Sequence, residues 1–308
     1  MNQPRNLSAS VRQRLKNFAV SNKEDFQAVL TRFALERFLF RLSQSSYSEQ
    51  FVLKGALLFS VWSQLPHRAT RDMDLLGFGD NSLDYLQLVF QYVCDLDVIP
   101  DGLEFHSSSV NCRRIKPDQE YEGVRINLLG NLTLSRTRIN LQIDIGFGDA
   151  ISPPPISLQF PTLLDFPPPI ISTYPRETVI AEKFQAMIML GIANTRIKDF
   201  YDIWFLATNF DFQSQLLTSA IKSTFDRRKT SIPISTPLAL SSEFTQDKQK
   251  LSQWNAFLNK GRLSAQNQSF TEIAQLIDSF LMPLCLALNE NRKLNHYWNS
   301  TLSWQQLS

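Results

Sequence analysis

The chain has 308 residues, 43% of them hydrophobic, and a formal net charge of +2. That length and apolar content suit one large or two modest globular domains and exclude a disordered or fibrous chain, while the near balance of charge means that any basic nucleic-acid surface must be local. Three scattered cysteines, Cys94, Cys112 and Cys285, argue against a disulfide framework or a zinc site, and without a signal peptide or a run of eighteen apolar residues the chain is expected to be soluble and cytoplasmic.

Residues 8–44 read as helical, with Ser21-x2-Glu24 as a capping-box signature ahead of Phe26, Val29, Leu30 and Phe33. An apolar strand over 51–55 then closes on Gly55, a tight-turn residue, and a short helix runs on to Trp62. The amides that open this helix can bind a phosphate. In Thr70-Arg-Asp72-Met-Asp74-Leu-Leu the two aspartates lie one residue apart, and a strand over 71–76 aims Thr70, Asp72 and Asp74 at one side. Carboxylates held so close repel each other unless a cation lies between them, and magnesium, bound through one or two carboxylates plus water and phosphate oxygens, suits the position. A bare Asp-x-Asp is equally the solvated end of a strand.

A helix at about 82–94 and strands over 124–129 and 138–146 complete a mixed α/β unit. In the last strand Ile139, Leu141, Ile143 and Ile145 alternate with Asn140, Gln142 and Asp144. If this strand lies beside the one carrying Asp72 and Asp74, the three carboxylates converge as a two-metal phosphoryl-transfer site requires; otherwise Asp144 only marks a polar face. Eight of the fifteen prolines fall between Pro153 and Pro175, which reads as an extended surface connector.

From Arg176 the pattern is mainly helical: a helix with the apolar stripe Ile180, Phe184, Met187 and Ile188 ends at Gly191, and a second spans Thr195–Ala207. Lys183 sits beside the stripe; Asp199 and Asp202 lie one turn apart, with Lys198 and Asp202 spaced for an i, i+4 pair. Singly, each of these charges also fits a solvated helix face. The layout is a helical segment over 1–44, an α/β domain over 45–152, a proline-rich connector over 153–175 and a helical domain over 176–308.

Taken in order, Leu53-Lys54-Gly55-Ala56, Arg68-x-Thr70-x-Asp72-x-Asp74, Glu177-x4-Glu182-Lys183 and Arg196-x-Lys198-Asp199-x2-Asp202 resemble the AbiEii/AbiGii nucleotidyltransferase toxin family of the DNA polymerase β-like superfamily, over about residues 45–210. The resemblance implies a polymerase β-like α/β domain with a mixed sheet, joined to a mainly helical C-terminal domain that folds back to form a cleft. It implies magnesium-dependent transfer of a nucleotide from an NTP to an RNA acceptor, a tRNA 3′ end in characterised relatives, by a toxin that a cognate antitoxin neutralises. By the same resemblance Asp72 and Asp74 hold the metal, Asp144 is the candidate third ligand, and Gly55, Ala56 and Thr70 lie against the triphosphate. Lys183 neutralises phosphate charge, Asp199 and Asp202 orient the acceptor or take its proton, and Arg196 and Lys198 are phosphate partners. Ala56 departs from the serine or second glycine usual in the superfamily, losing a hydroxyl but keeping its amide, and the interval from Gly55 to Asp72 is longer than in the superfamily's shorter versions.

The alternatives are a non-catalytic NTP-binding or protein-interaction module on the same fold, and a metal-dependent nuclease using similar carboxylates. Arg113-Arg114 and Arg227-Arg228-Lys229 are candidate local RNA contacts, and Trp254, Tyr297, Trp298 and Trp304 read chiefly as core.

Overall fold

Apolar residues every fourth position, Val11, Leu15 and Ala19, give the first helix, α1 (Leu7–Ser21), one buried stripe. The computed structural model describes residues 7–63, 70, 72–115, 123–133, 137–261, 268–299 and 301–306. The helical pattern breaks after α1, and the capping group of α2 (Phe26–Gln44) is Asp25, whose carboxylate accepts a hydrogen bond from the Ala28 amide at 2.9 Å. The expected Ser21/Glu24 box does not form, because Ser21 is the last residue of α1 and Glu24 pairs with Arg32 at 3.0 Å. Asp25 offers the shorter cap one residue before the helix.

The chain divides into two compact units, Met1–Gly148 with Ile156–Thr173, and Asp149–Pro155 with Tyr174–Ser308. The first is built on a seven-stranded mixed sheet of order β3-β4-β5-β2-β1-β7-β6. These strands are β1 (Phe51–Lys54), β2 (Asp72–Gly77), β3 (Leu103–Ile115), β4 (Gly123–Leu132), β5 (Arg138–Phe147), β6 (Ile156–Gln159) and β7 (Ile170–Thr173). A short helix α3 (Leu58–Trp62) follows β1, and α4 (Leu83–Asp95), capped by Ser82, lies between β2 and β3. The alternation in β5 buries Ile139, Leu141, Ile143 and Ile145, as period-two patterning requires.

Two features differ from the sequence reading. β3 is thirteen residues long and has no counterpart among the expected strands: Ser107-Ser-Ser109 interrupts its alternation where the register with β4 shifts between His106 and Asn111. The proline-rich stretch also does more than connect, since Ile156–Gln159 and Ile170–Thr173 pair with each other and β7 joins β1 in parallel. Prolines interrupt helices but tolerate sheet edges and the turns between strands.

The second unit holds α5 (Arg176–Leu190), α6 (Ile197–Asn209), α7 (Ser214–Arg227), α8 (Ser242–Thr245), α9 (Lys248–Gly261) and α10 (Phe270–Asn289), with a small sheet of β8 (Phe212–Gln213), β9 (His296–Trp298) and β10 (Trp304–Gln306). Gly191 closes α5 at φ +47°. Trp254 and Trp298 are core, Trp254 stacking on Phe270 and Trp298 donating to the Ala207 carbonyl at 2.7 Å, while the half-buried Trp304 donates to the Phe280 carbonyl at 2.9 Å. Among the described residues one helix, α10, is long and apolar enough by length and composition to cross a membrane, and half of its most apolar window is buried inside the unit.

Candidate active site

β5 lies beside β2 in parallel, with Asp72 opposite Gln142 and Asp74 opposite Asp144. On the other side of β5, β4 sets Asn127 opposite Gln142 and Arg125 opposite Asp144. Since strand residues two apart share a face, one surface of this three-stranded strip carries the rows Asn127, Gln142, Asp72 and Arg125, Asp144, Asp74. The opposite surface is the apolar one, with Met73, Leu75, Ile126, Ile143 and Ile145 buried. The adjacency that brings Asp144 toward the Asp72/Asp74 pair is therefore present.

Arg125, which the sequence reading did not single out, adds a cation to that face, and Lys54 of β1 lies opposite Asp74 on its other side. Its guanidinium makes a bidentate pair with Asp144, Nε to Oδ1 at 2.8 Å and the second nitrogen to Oδ2 at 2.7 Å. The Asp144 hydrogen bonds, and then the charges of Asp144, Asp72 and Asp74, raise the Arg125 pKa above its ordinary value. Arg125 thus neutralises Asp144 directly and lies within the field of Asp72 and Asp74. In Val124-Arg125-Ile126 its polarity marks an outward position, but its partner becomes visible only once the β4/β5 register is known.

Gly55 lies at φ +73°, in the left-handed region that favours glycine, and a side-chain carbon placed there would collide with the Asp74 carboxylate. Ala56 follows in a 3-10 turn, Gly55–Leu57. Thr70 is half-buried, and its hydroxyl donates to the Asp72 carbonyl at 3.3 Å. Arg68 of the expected motif lies outside the described residues.

Among the described residues no three His, Cys, Asp or Glu side chains are disposed to hold a metal ion together. The donor chemistry of Asp72 and Asp74 nevertheless fits magnesium, whose protein ligands are typically one or two carboxylates. Asp144 is engaged by Arg125 and would have to exchange that partner to become a third ligand.

In the second unit Lys183 on α5 lies between two aspartates of α6, its Nζ 2.6 Å from Asp199 Oδ1 and 2.8 Å from Asp202 Oδ2. Both aspartates are buried, Asp202 completely, whereas Lys198 is exposed. The surface pair expected between Lys198 and Asp202 is thus replaced by an internal triad, because Asp202 points toward α5. Arg196 is exposed at the start of α6, where its amide donates to Asn194 Oδ1 at 2.8 Å. The basic run at the end of α7 turns Arg228 inward, to Asp149 at 3.1 Å, Glu182 at 3.2 Å and Gln185 Oε1 at 2.9 Å. Beside it the Tyr174 hydroxyl donates to Glu182 at 3.3 Å, and burial followed by the Glu182 and Asp149 charges pushes its phenol pKa up.

The chain was compared with known proteins. No curated protein matches it. Two solved structures are similar in outline: JHP933 from Helicobacter pylori, 17% identical with a TM-score of 0.49, and a candidate nucleotidyltransferase from H. pylori, 16% identical with a TM-score of 0.49. Each comparison covers 87% of this chain and 99% of the other. The family model described as "Nucleotidyl transferase AbiEii toxin, Type IV TA system" matches residues 37–276, a span that contains both the carboxylate face and the lysine triad. The chain is therefore a nucleotidyltransferase and belongs to the AbiEii toxin family.

Proposed function

We propose that this nucleotidyltransferase moves a nucleotide from an NTP to an RNA acceptor, a tRNA 3′ end, with magnesium, as the toxin of a toxin–antitoxin pair whose antitoxin protein restrains it. The observation that carries the reading is the placement of Asp72 and Asp74 on one face of β2, with Gly55 in a left-handed turn packed directly against Asp74. Phosphoryl transfer asks of a protein chiefly that it position the reactants and neutralise charge. Asp72 and Asp74 would hold magnesium, which supplies positive charge to the triphosphate. Gly55 lets the backbone approach the phosphates without a side chain in the way, and Ala56 and Thr70 adjoin that approach. Asp144, bound to Arg125, fixes the electrostatic balance of the face and is the candidate third ligand. In this proposal Lys183 adds charge neutralisation, a carboxylate of the buried Asp199/Asp202 pair, once released from Lys183, orients the acceptor or takes its proton, and Arg196 and Lys198 are phosphate partners.

The experiment is incorporation of each α-labelled NTP into total tRNA with magnesium, comparing wild type with Asp72→Ala and Asp74→Ala. Label that disappears in both variants supports transfer and names the nucleotide. Folded wild-type protein that labels no RNA with any NTP sinks the proposal, and shortened RNA in place of labelled RNA would identify a nuclease.

A further inference from the structure

Next to Asp72 the α/β unit contains a cleft of about 480 Å³, within the size range of small-ligand sites. Gln27 and Thr31 of α2 line it, with Asn127 of β4 and Asn140 and Gln142 of β5. The register explains the clustering: Asn127 and Gln142 are opposite each other, and Leu129 and Asn140 form the next row, so three carboxamides and an apolar side chain share one patch of sheet. Among the described residues the carboxamides of Gln27, Asn127 and Asn140 make no hydrogen bond within the protein, and Gln142 makes one long bond of 3.4 Å, to Asp144. Half-buried groups such as Asn127 that keep donors and acceptors open are a cost to the fold unless something else satisfies them.

The chemistry of the lining selects the ligand. Among its described residues there is no lysine or arginine, and its two charged residues, Asp25 and Asp72, are acidic, so the cleft offers no cationic side chain to a phosphate. A carboxamide presents a donor and an acceptor side by side, the pattern carried by the edge of a nucleobase, and Asn and Gln read adenine in this bidentate manner. Leu129 offers an apolar surface for the ring. Resting on the nucleotidyltransferase reading of the Asp72/Asp74 face, we infer that this cleft is a base-reading site, which recognises the nucleobase of a substrate whose phosphates lie outside it, toward Asp74 and Gly55. The base belongs either to the incoming NTP or to the terminal nucleotide of the acceptor.

The test uses the full chain and the four ribonucleosides, without phosphate or metal, so that it is independent of transfer. Equilibrium dialysis of wild type is expected to favour one nucleoside. Its affinity should fall about tenfold or more in Asn127→Leu, which keeps the branched shape without the polar atoms, and in Asn140→Ala, at an exposed position. Equal binding of all four nucleosides, no binding, or unchanged affinity in both folded variants overturns the inference. In the labelling assay, relaxed NTP choice in the variants assigns the base to the NTP, and a raised KM for tRNA with NTP choice intact assigns it to the acceptor; either supports the inference, and no change in both counts against it. Nucleoside discrimination without any RNA labelling would refute the proposed transfer and leave the cleft assignment standing.

Discussion

At Gly55 the backbone has φ +73°, and a methyl group added there would lie 2.7 Å from Asp74 Cγ. Gly55→Ala therefore meets two penalties, a left-handed backbone at a non-glycine residue and a displaced Asp74, together on the order of 1–3 kcal/mol. The expected outcome is a folded protein with Tm lowered by a few degrees and nucleotide incorporation reduced at least tenfold; wild-type incorporation in that variant would separate Asp74 placement from activity. Glu36 behaves differently. Burial raises its pKa from 4.5 to about 7, against the opposing effects of the Leu163 amide and Arg37. The folded protein then holds a proton that the unfolded chain has released between those values, so this group's contribution to stability is full below pH 4.5 and is lost as pH rises toward 7. The loss is on the order of 3 kcal/mol. Glu36→Gln, which can still accept the Leu163 N–H, should gain Tm relative to wild type at pH 8 compared with pH 5; an equal Tm difference at both pH values would refute this. At this scale the shared face of Asp72 and Asp74 and the turn at Gly55 were legible because strand alternation and glycine geometry are local rules, whereas the nearness of Asp144 depends on the β2/β5 pairing. Arg125 was not, since its importance comes from a cross-strand partner nineteen positions away.

The elements of the first unit are tied together by a buried charge cluster that no local pattern announces. Asp101, just before β3, accepts from Arg37 Nε at 3.0 Å and from both terminal nitrogens of Arg41 at 2.7 and 3.1 Å, and Arg37 also donates to the Pro167 carbonyl at 2.7 Å. All three side chains are almost wholly excluded from solvent. One helix is thereby fixed to the start of a long strand and to the turn between β6 and β7. Asp101→Ala would leave two guanidinium groups buried without their carboxylate, at a cost of about 3–5 kcal/mol, seen as a matching drop in unfolding free energy by denaturant titration. A change under about 1 kcal/mol would show that the arginines find other partners. β1, β2, β4, β5, α4 and α5 were readable from period and punctuation. β3 was hidden by its serine-rich bulge, and β6 and β7 by the assumption that a proline-dense stretch has no regular pairing. The α2 cap moved from the expected box to Asp25 for a reason visible only when α1 is seen to continue through Ser21.

For the molecule as a whole, the mixed sheet and the mainly helical second unit were evident in the change of pattern near residue 175, yet the sheet is not contiguous in sequence. The first unit takes residues 156–173 after Asp149–Pro155 has already entered the second. Its β1 has β2 on one side and β7 on the other, in the register Leu53 to Thr173. A chain stopped after Gly148 would expose one edge of β1, an open template for pairing with other molecules. Such a fragment should scatter light as soluble aggregates under conditions where the full chain is monodisperse; a monodisperse fragment would refute this. The same topology sets a schedule for the newborn protein. Translation delivers Gly55, Asp72, Asp74 and Asp144 well before Thr173, so the strand leading into the Gly55 turn stays half-framed while the ribosome is still working through the prolines. A cell making this protein thus has an interval of synthesis in which the three carboxylates exist but the scaffold beside them is unfinished.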